Sequence, residues 1–213
     1  MTDRQKRRQL DSAATDDELL QRILTVTCNP PPPIYAPSDD SLLMIDAIAH
    51  LPLSGKKVLD LGTGSGIIAL YCAMHGAKVT AGDIDQGAIE QVSQAAATLR
   101  VQINACLSDL FSSINARFDL ILFNPPYLPS PEIADRSIDG GPDGTVLANR
   151  FLAELASHLA PGAEAYLLLS SVNDPASVQL RQKKLEFEVV ARKALFFEEL
   201  QVLRVRPRDD LTI

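Results

Sequence analysis

Lys57-Val58-Leu59-Asp60-Leu61-Gly62-Thr63-Gly64-Ser65-Gly66 decides the fold of this chain. Its first five residues read as a short buried strand, the glycines as a tight turn, and Ile67 to His75 as a helix that opens on the last glycine. Glycines at a strand-to-helix junction let a ligand approach the backbone, and the start of the helix presents N–H groups that have no partner inside the helix. A dinucleotide fingerprint needs its third glycine three places after the second, where this chain has Ile67. The spacing disfavours NAD.

Downstream the rhythm is regular. Strand Lys78 to Ile84, helix Gly87 to Leu99, strands Val101 to Cys106 and Asp119 to Phe123, helix Val146 to Leu159 closed by Pro161-Gly162, strand Ala163 to Ser170 and helix Pro175 to Lys184 follow in order. Two last strands, Phe187 to Leu195 and Leu200 to Val205, are separated only by a gap around Phe197-Glu198-Glu199, too short for a parallel crossover. They must form an antiparallel hairpin. The expected fold is α/β and Rossmann-like: a seven-stranded, mostly parallel sheet with an antiparallel C-terminal hairpin and helices on both faces. Upstream, Thr15-Asp16-Asp17-Glu18 is a capping box for a helix carrying Leu19, Leu20, Ile23 and Leu24. Pro30 to Pro33 make a stiff connection, and Ser38-Asp39-Asp40-Ser41 caps a second helix. Residues 1–14 are expected to be a flexible basic tail and 15–213 one domain, with N-terminal helices and linker in 15–52 and the core in 53–213.

The chain has 213 residues, of which 46% are hydrophobic and 22% charged, enough for one full-sized core. No apolar run approaches a membrane span and the first thirty residues hold no apolar signal core, so a cytoplasmic protein is expected. The three cysteines, Cys28, Cys72 and Cys106, and the three histidines are scattered, which argues against a metal site or a disulfide framework. The formal net charge is −7, and Arg4, Lys6, Arg7 and Arg8 at the N-terminus leave the rest more acidic still. An acidic body makes a phosphate-binding surface, and so a nucleic-acid partner, unexpected.

With Asp60 before Gly62, Gly64 and Gly66, the loop resembles motif I of the class I S-adenosylmethionine-dependent methyltransferases. That resemblance implies a loop, Thr63 included, that wraps the methionine part of S-adenosyl-L-methionine, with the acid serving its amino end. Asp83, at the end of the second strand in Gly82-Asp83-Ile84-Asp85, can accept both hydrogens of a ribose diol, with Ile84 beside it. Asp85 reads as the cap of the next helix. Asp109-Leu110, after the third strand, offers a carboxylate for the adenine amino group and an apolar cover for the ring. These acids stand at successive strand C-terminal ends, where open α/β sheets bind ligands.

The remaining constellation is Asn124-Pro125-Pro126-Tyr127, after the apolar run Phe118 to Phe123. An Asn oxygen and a Pro carbonyl can each accept one N–H of a planar nitrogen, drawing it toward sp³ character, while Tyr packs on the flat group. Fixed φ angles at two prolines keep that turn rigid. Asn29-Pro30-Pro31-Pro32 repeats the first three letters outside any strand and reads as linker.

From Tyr35 to the C-terminus, the chain resembles the short HemK-related enzymes that methylate the glutamine of class I peptide release factors. The resemblance is carried by Tyr35 to Ser41, the glycine loop, Gly82 to Asp85, Asp109-Leu110, Asn124 to Tyr127, Gly140 to Gly144 and Leu200 to Arg204. It implies that Ser41 stands where the family usually has Thr near the cofactor's methionine end. The family usually reads Trp-Ala-Gly-Gly where this chain has Ile138-Asp139-Gly140-Gly141. The implied reaction is N5-methylation of glutamine in a Gly-Gly-Gln loop, with Leu128 to Thr145 long enough to be a substrate lid. A small zinc-binding activator protein is implied as a partner, seated along the sheet edge at Val101 to Cys106; a self-sufficient relative would cover that edge with its own residues 16 to 24. An N-methyltransferase acting on adenine or guanine in RNA or DNA is the alternative, because the same tetrapeptide serves those amines.

Overall fold

The computed structural model describes residues 15–31, 34–129, 141–173, 178 and 184–208. Along the chain run α1 (Asp16–Thr27), α2 (Asp39–Ile48), β1 (Lys57–Leu61), α3 (Ile67–Met74), β2 (Lys78–Asp83), α4 (Gln86–Leu99) and β3 (Ile103–Leu107). Then come β4 (Phe118–Phe123), α5 (Val146–His158), β5 (Leu159–Ser170), β6 (Leu185–Ala194) and β7 (Glu199–Pro207). The strands form one seven-stranded sheet in the order β3-β2-β1-β4-β5-β7-β6. Strands β1 to β5 pair in parallel, and β7 runs antiparallel to both β5 and β6, as the short final gap required.

Alternation along β4 shows why helices cover both faces. Leu120 and Leu122 enter one apolar layer with Ile23 of α1, Met44 of α2, Leu70 of α3 and Val92 of α4, while Ile121 and Phe123 enter the opposite layer with Phe151 and Leu155 of α5. Each layer buries several large side chains, and a buried leucine or phenylalanine contributes about 1.5–3 kcal/mol relative to exposure. The capping box at Thr15 forms: its Oγ1 accepts from Glu18 N–H, and Glu18 returns a carboxylate to Thr15 N–H. Helix α1 rests on α3 and α4. Asp16 latches it there by accepting from Tyr71 Oη at 3.2 Å and meeting His75 Nε2 at 2.6 Å. Strand β3 meanwhile keeps Asn104 and Leu107 exposed along the sheet edge.

Two boundaries and one cap depart from expectation for reasons visible in the structure. Helix α5 stops at His158, before Pro161-Gly162, because β5 already begins at Leu159 opposite Phe118; the proline and glycine fall in a register irregularity, where a missing N–H costs no ladder bond. Strand β3 starts at Ile103 because Arg100 turns left-handed (φ 58°) to end α4, and the Val101 N–H returns to the Ala96 carbonyl. Ser38 occupies the N-cap of α2 without a side-chain cap bond. The basic tail, most of the expected helix Pro175 to Lys184, part of the proline linker (32 and 33) and loop residues 130–140, Gly140 among them, lie outside the described residues.

Candidate active site

The C-terminal ends of β1, β2, β3 and β4 open on one cleft of about 1260 Å³. Ser41, Gly62, Thr63, Gly64, Asp83, Ile84, Asp109, Leu110 and Asn124 to Tyr127 all line it. Single-ligand sites usually occupy about 300–1,000 Å³, so this one has room for a cofactor and an acceptor side chain together.

Asp60 and Gly66 belong beneath the loop. The Asp60 carboxylate is fully buried and one oxygen accepts both Thr63 Oγ1–H at 2.7 Å and Ala69 N–H at 3.1 Å, tying the turn to the first turn of α3. Burial raises its pKa from 3.8 to about 7, against the pull of those two bonds, and the neighbouring Asp83 charge pushes the same way. Gly66 caps α3 with φ 84°, and a Cβ there would stand 2.6 Å from Val92 Cγ2. No other residue permits both that φ and α4 this close.

Asp83 also holds the loop. Its Oδ2 accepts from Gly64 N–H at 2.9 Å and its Oδ1 from Asp85 N–H at 2.9 Å, leaving further lone pairs for a ligand. Burial raises its pKa, with the two backbone bonds opposing. Asp85 caps α4, accepting from Gly87 N–H at 2.8 Å, as its position after the strand suggested. Asp109 meets Arg150 of α5 at 3.0 Å on the cleft wall. The adjacent Leu110 is buried with φ 49°, a conformation costly for a residue with a γ-branched side chain, and Ser108 Oγ–H fixes its carbonyl at 2.7 Å.

At the other end of the cleft, Asn124 Oδ1 is buried with no hydrogen-bond partner among the described residues. A buried amide oxygen left bare costs about 1–3 kcal/mol, and the atom stands next to a cleft that a donor could enter. Tyr127 follows, its phenol pKa pushed upward by burial first and by Asp40 and Glu198 after it. The phenol therefore stays neutral near pH 7, which excludes it as a base there.

Two residues emerge that the sequence reading did not single out for the site. Asn173, buried after β5, donates through Nδ2 to the Tyr127 carbonyl at 2.7 Å and lies 3.3 Å from the Gly144 carbonyl, while its Oδ1 accepts from Ser170 N–H at 3.2 Å. It clamps the Asn-Pro-Pro-Tyr turn to the Gly141–Gly144 loop. Asp40 is buried on the cleft wall, and its Oδ1 accepts from Ser41 N–H at 2.6 Å and Ser41 Oγ–H at 3.2 Å. Its signal was present: Asp40 falls on the helical stripe of Leu43, Met44, Ala47 and Ile48, an acid on an apolar face. Asn173 had only its place just past a strand end.

Among the described residues, no group of three or more His, Cys, Asp or Glu could hold a metal ion, and no helix is long and apolar enough to cross a membrane.

Comparison with known proteins agrees with this geometry. Residues 38–197 match the methyltransferase small domain family. A Methanocaldococcus jannaschii protein provisionally named protein N5-glutamine methyltransferase is 36% identical over 181 residues, covering 81% of this chain and 91% of that one. Mouse methyltransferase HEMK2 is 29% identical over 80% of this chain and 88% of its own, and a release factor glutamine methyltransferase of Gloeobacter violaceus is 32% identical over 75% of this chain and 61% of its own. Among solved structures, the E. cuniculi Mtq2–Trm112 complex, described as responsible for methylation of the termination factor eRF1, aligns with TM-score 0.69 and 27% identity over 82% of this chain and 99% of that one. A glycine loop closing β1, acids after β2 and β3, an Asn-Pro-Pro-Tyr turn after β4 and an antiparallel final hairpin are thus the features of an enzyme, and this chain belongs to the methyltransferase small domain family, on the class I methyltransferase fold.

Proposed function

We propose that this methyltransferase N5-methylates the glutamine of a Gly-Gly-Gln loop in a class I peptide chain release factor. The observation that carries the reading is Asn124 Oδ1, a buried acceptor without a donor among the described residues, fixed by a strand and two prolines beside a neutral tyrosine. A primary amide supplies what it lacks. One amide N–H meets Asn124 Oδ1, the other the Pro125 carbonyl, and Tyr127 packs on the flat group. The relatives named for glutamine or release-factor methylation support this choice of acceptor.

The residues on the cleft suit S-adenosyl-L-methionine. Backbone at Gly62, Thr63 and Gly64 wraps its methionine part, with Asp60 and Gly66 shaping that loop from below. Ser41 and Asp40 would stand near its amino end, Asp83 would take the ribose diol, Ile84 and Leu110 would cover the adenine, and Asp109 would accept from the adenine amine. When bound, the cofactor would supply its methyl as an electrophile, leaving the C–S electron pair on sulfur, while the acceptor nitrogen would give its lone pair to the new N–C bond and lose a proton to water. The chain's contribution is orientation and fixed acceptors, so no covalent enzyme intermediate is needed. A small zinc-binding activator protein is proposed along the β3 edge, as the Mtq2–Trm112 pairing suggests by similarity.

The test is transfer of labelled methyl from S-adenosylmethionine to a release factor or to rRNA, with and without such an activator. Label in the Gly-Gly-Gln peptide is expected, and label confined to RNA overturns the reading in favour of a nucleobase amine. Asn124→Ala should lower transfer about 100-fold or more with cofactor affinity within about threefold, the scale of losing one fixed electrostatic contact. Full transfer by that variant would remove Asn124 from the mechanism.

A further inference from the structure

We propose that Phe196 and Phe197, at the tip of the β6–β7 hairpin, are the docking point for the folded body of the protein substrate. The two rings are 92% and 89% exposed and pack edge to face, with centroids 4.6 Å apart. Burying neither ring helps the fold. An exposed aromatic pair of this kind is what an interface uses as an anchor.

Topology places the tip at the acceptor end of the cleft. β7 runs antiparallel to β5 with Leu200 opposite Ser170, so the turn between β6 and β7 lies at the same end of the sheet as the C-terminal ends of the parallel strands. Both flanks of that turn are tied to elements of the site. On one side Lys193 Nζ meets Asp39 at 2.9 Å, beside the cleft-lining Asp40 and Ser41 of α2. On the other, Ser170 Oγ–H donates to Glu198, Ser171 N–H donates to the Glu199 carbonyl at 2.8 Å, and the same short loop carries Asn173, the clamp on Tyr127. Glu198 is close enough to Tyr127 to raise its pKa. Gly62 to Gly64, Asp83, Ile84, Asp109 and Leu110 follow β1, β2 and β3, on the opposite side of β4 in the strand order, while Ser41 and Asp40 of α2 stand on the hairpin's side. Whatever brings an acceptor to Asn124 therefore arrives beside the phenylalanines.

The surroundings extend the apolar rim. Val172, beside Asn173, is about two-fifths exposed and off the cleft wall, while Tyr35 and Leu128, equally exposed, line the cleft near Tyr127, as Ile84 and Val146 line it elsewhere. Charge selects the occupant. Asp39 and Glu199 already pair with Lys193 and Arg192, and Glu198 adds a further acid, so among the described residues these flanks of the hairpin offer no spare cation for a phosphate backbone. An apolar patch on a protein, next to the loop that carries its glutamine, fits this rim; an RNA does not.

This inference rests on the proposed protein-glutamine activity, and the experiment separates the two. Phe196→Ser/Phe197→Ser and Phe196→Leu/Phe197→Leu variants are compared with the unaltered enzyme, with its activator if one is needed, on an intact release factor. The serine variant should raise the KM for release factor at least tenfold while the KM for S-adenosylmethionine and the thermal midpoint stay unchanged, and the leucine variant should recover most of the loss. An unchanged release-factor KM in the serine variant, or a fall in kcat and cofactor affinity together, overturns the docking role while leaving the glutamine reading intact. An unaltered enzyme that labels rRNA and not release factor overturns both.

Discussion

Burial holds the Asp60 carboxyl at about 7 instead of 3.8, and that displacement makes stability depend on pH. Between those values the folded chain binds more protons at this site than the unfolded chain. Its stabilising contribution is complete below about pH 4 and is lost as pH rises through about 7. Asp60→Asn keeps an oxygen for the Thr63 hydroxyl and the Ala69 N–H while removing the titration. From pH 5 to pH 8 the unaltered chain should therefore lose roughly 2–3 kcal/mol that the variant retains. Asp83, also raised by burial, acts in the same direction and remains in the variant, so the pH slope shrinks without vanishing. Urea unfolding at both pH values measures this, and identical slopes would contradict it. At this scale the sequence was readable wherever a residue stood at a strand end: Asp83, Asp109 and Asn124 all reached the cleft. It was less readable where one residue could serve two purposes. Asp40 fitted a capping string as well as a buried stripe, and the roles of Asp60 and Gly66 under the loop depend on Thr63, Ala69 and Val92, neighbours that no spacing rule supplies.

The acceptor turn is held as an element by what lies against it. Asn173 Nδ2 reaches the Tyr127 carbonyl, and Gly144 sits so close, at φ 71°, that a Cβ there would run into that carbonyl and the Asn173 amide. Asn173→Ala leaves the half-buried Tyr127 carbonyl and the buried Ser170 N–H without these partners, a cost of about 1–3 kcal/mol in stability. Because the turn rather than the cofactor loop is released, kcat should fall tenfold or more while the KM for cofactor changes little. Gly144→Ala should reproduce that pattern by displacement instead of by lost hydrogen bonds. Steady-state kinetics with cofactor and acceptor varied separately distinguish this from general unfolding, since a misfolded variant would lose both. The strands and helices were legible because alternation and 3.6-residue periodicity mark them along one segment at a time. The clamp was not, since Tyr127, Gly144 and Asn173 come from three separate segments that only the folded sheet brings together.

For the molecule as a whole, the mostly parallel sheet was legible from the alternation of strands and helices, and the terminal hairpin from one short gap. The identity of the edges has a consequence for assembly. The sheet ends in β3 on one side and β6 on the other. β6 is laced to β7 by Arg204–Glu188 and by Arg206–Glu186 at 3.0 Å, and it carries charged residues at intervals along its length. β3, Ile103-Asn104-Ala105-Cys106-Leu107, has no charged residue, and α1 is occupied with α3 and α4. An uncharged edge is a template for another strand unless something guards it. Leu107, 50% exposed and off the cleft wall, is the position at which to test this. Leu107→Lys places a charge on the edge and should weaken binding of the proposed small zinc-binding partner at least tenfold. The isolated chain should keep its stability to within about 0.5 kcal/mol, because a surface substitution removes no core contact. Calorimetric titration of the partner into both proteins reads the difference, and equal affinities would place the partner elsewhere on the molecule.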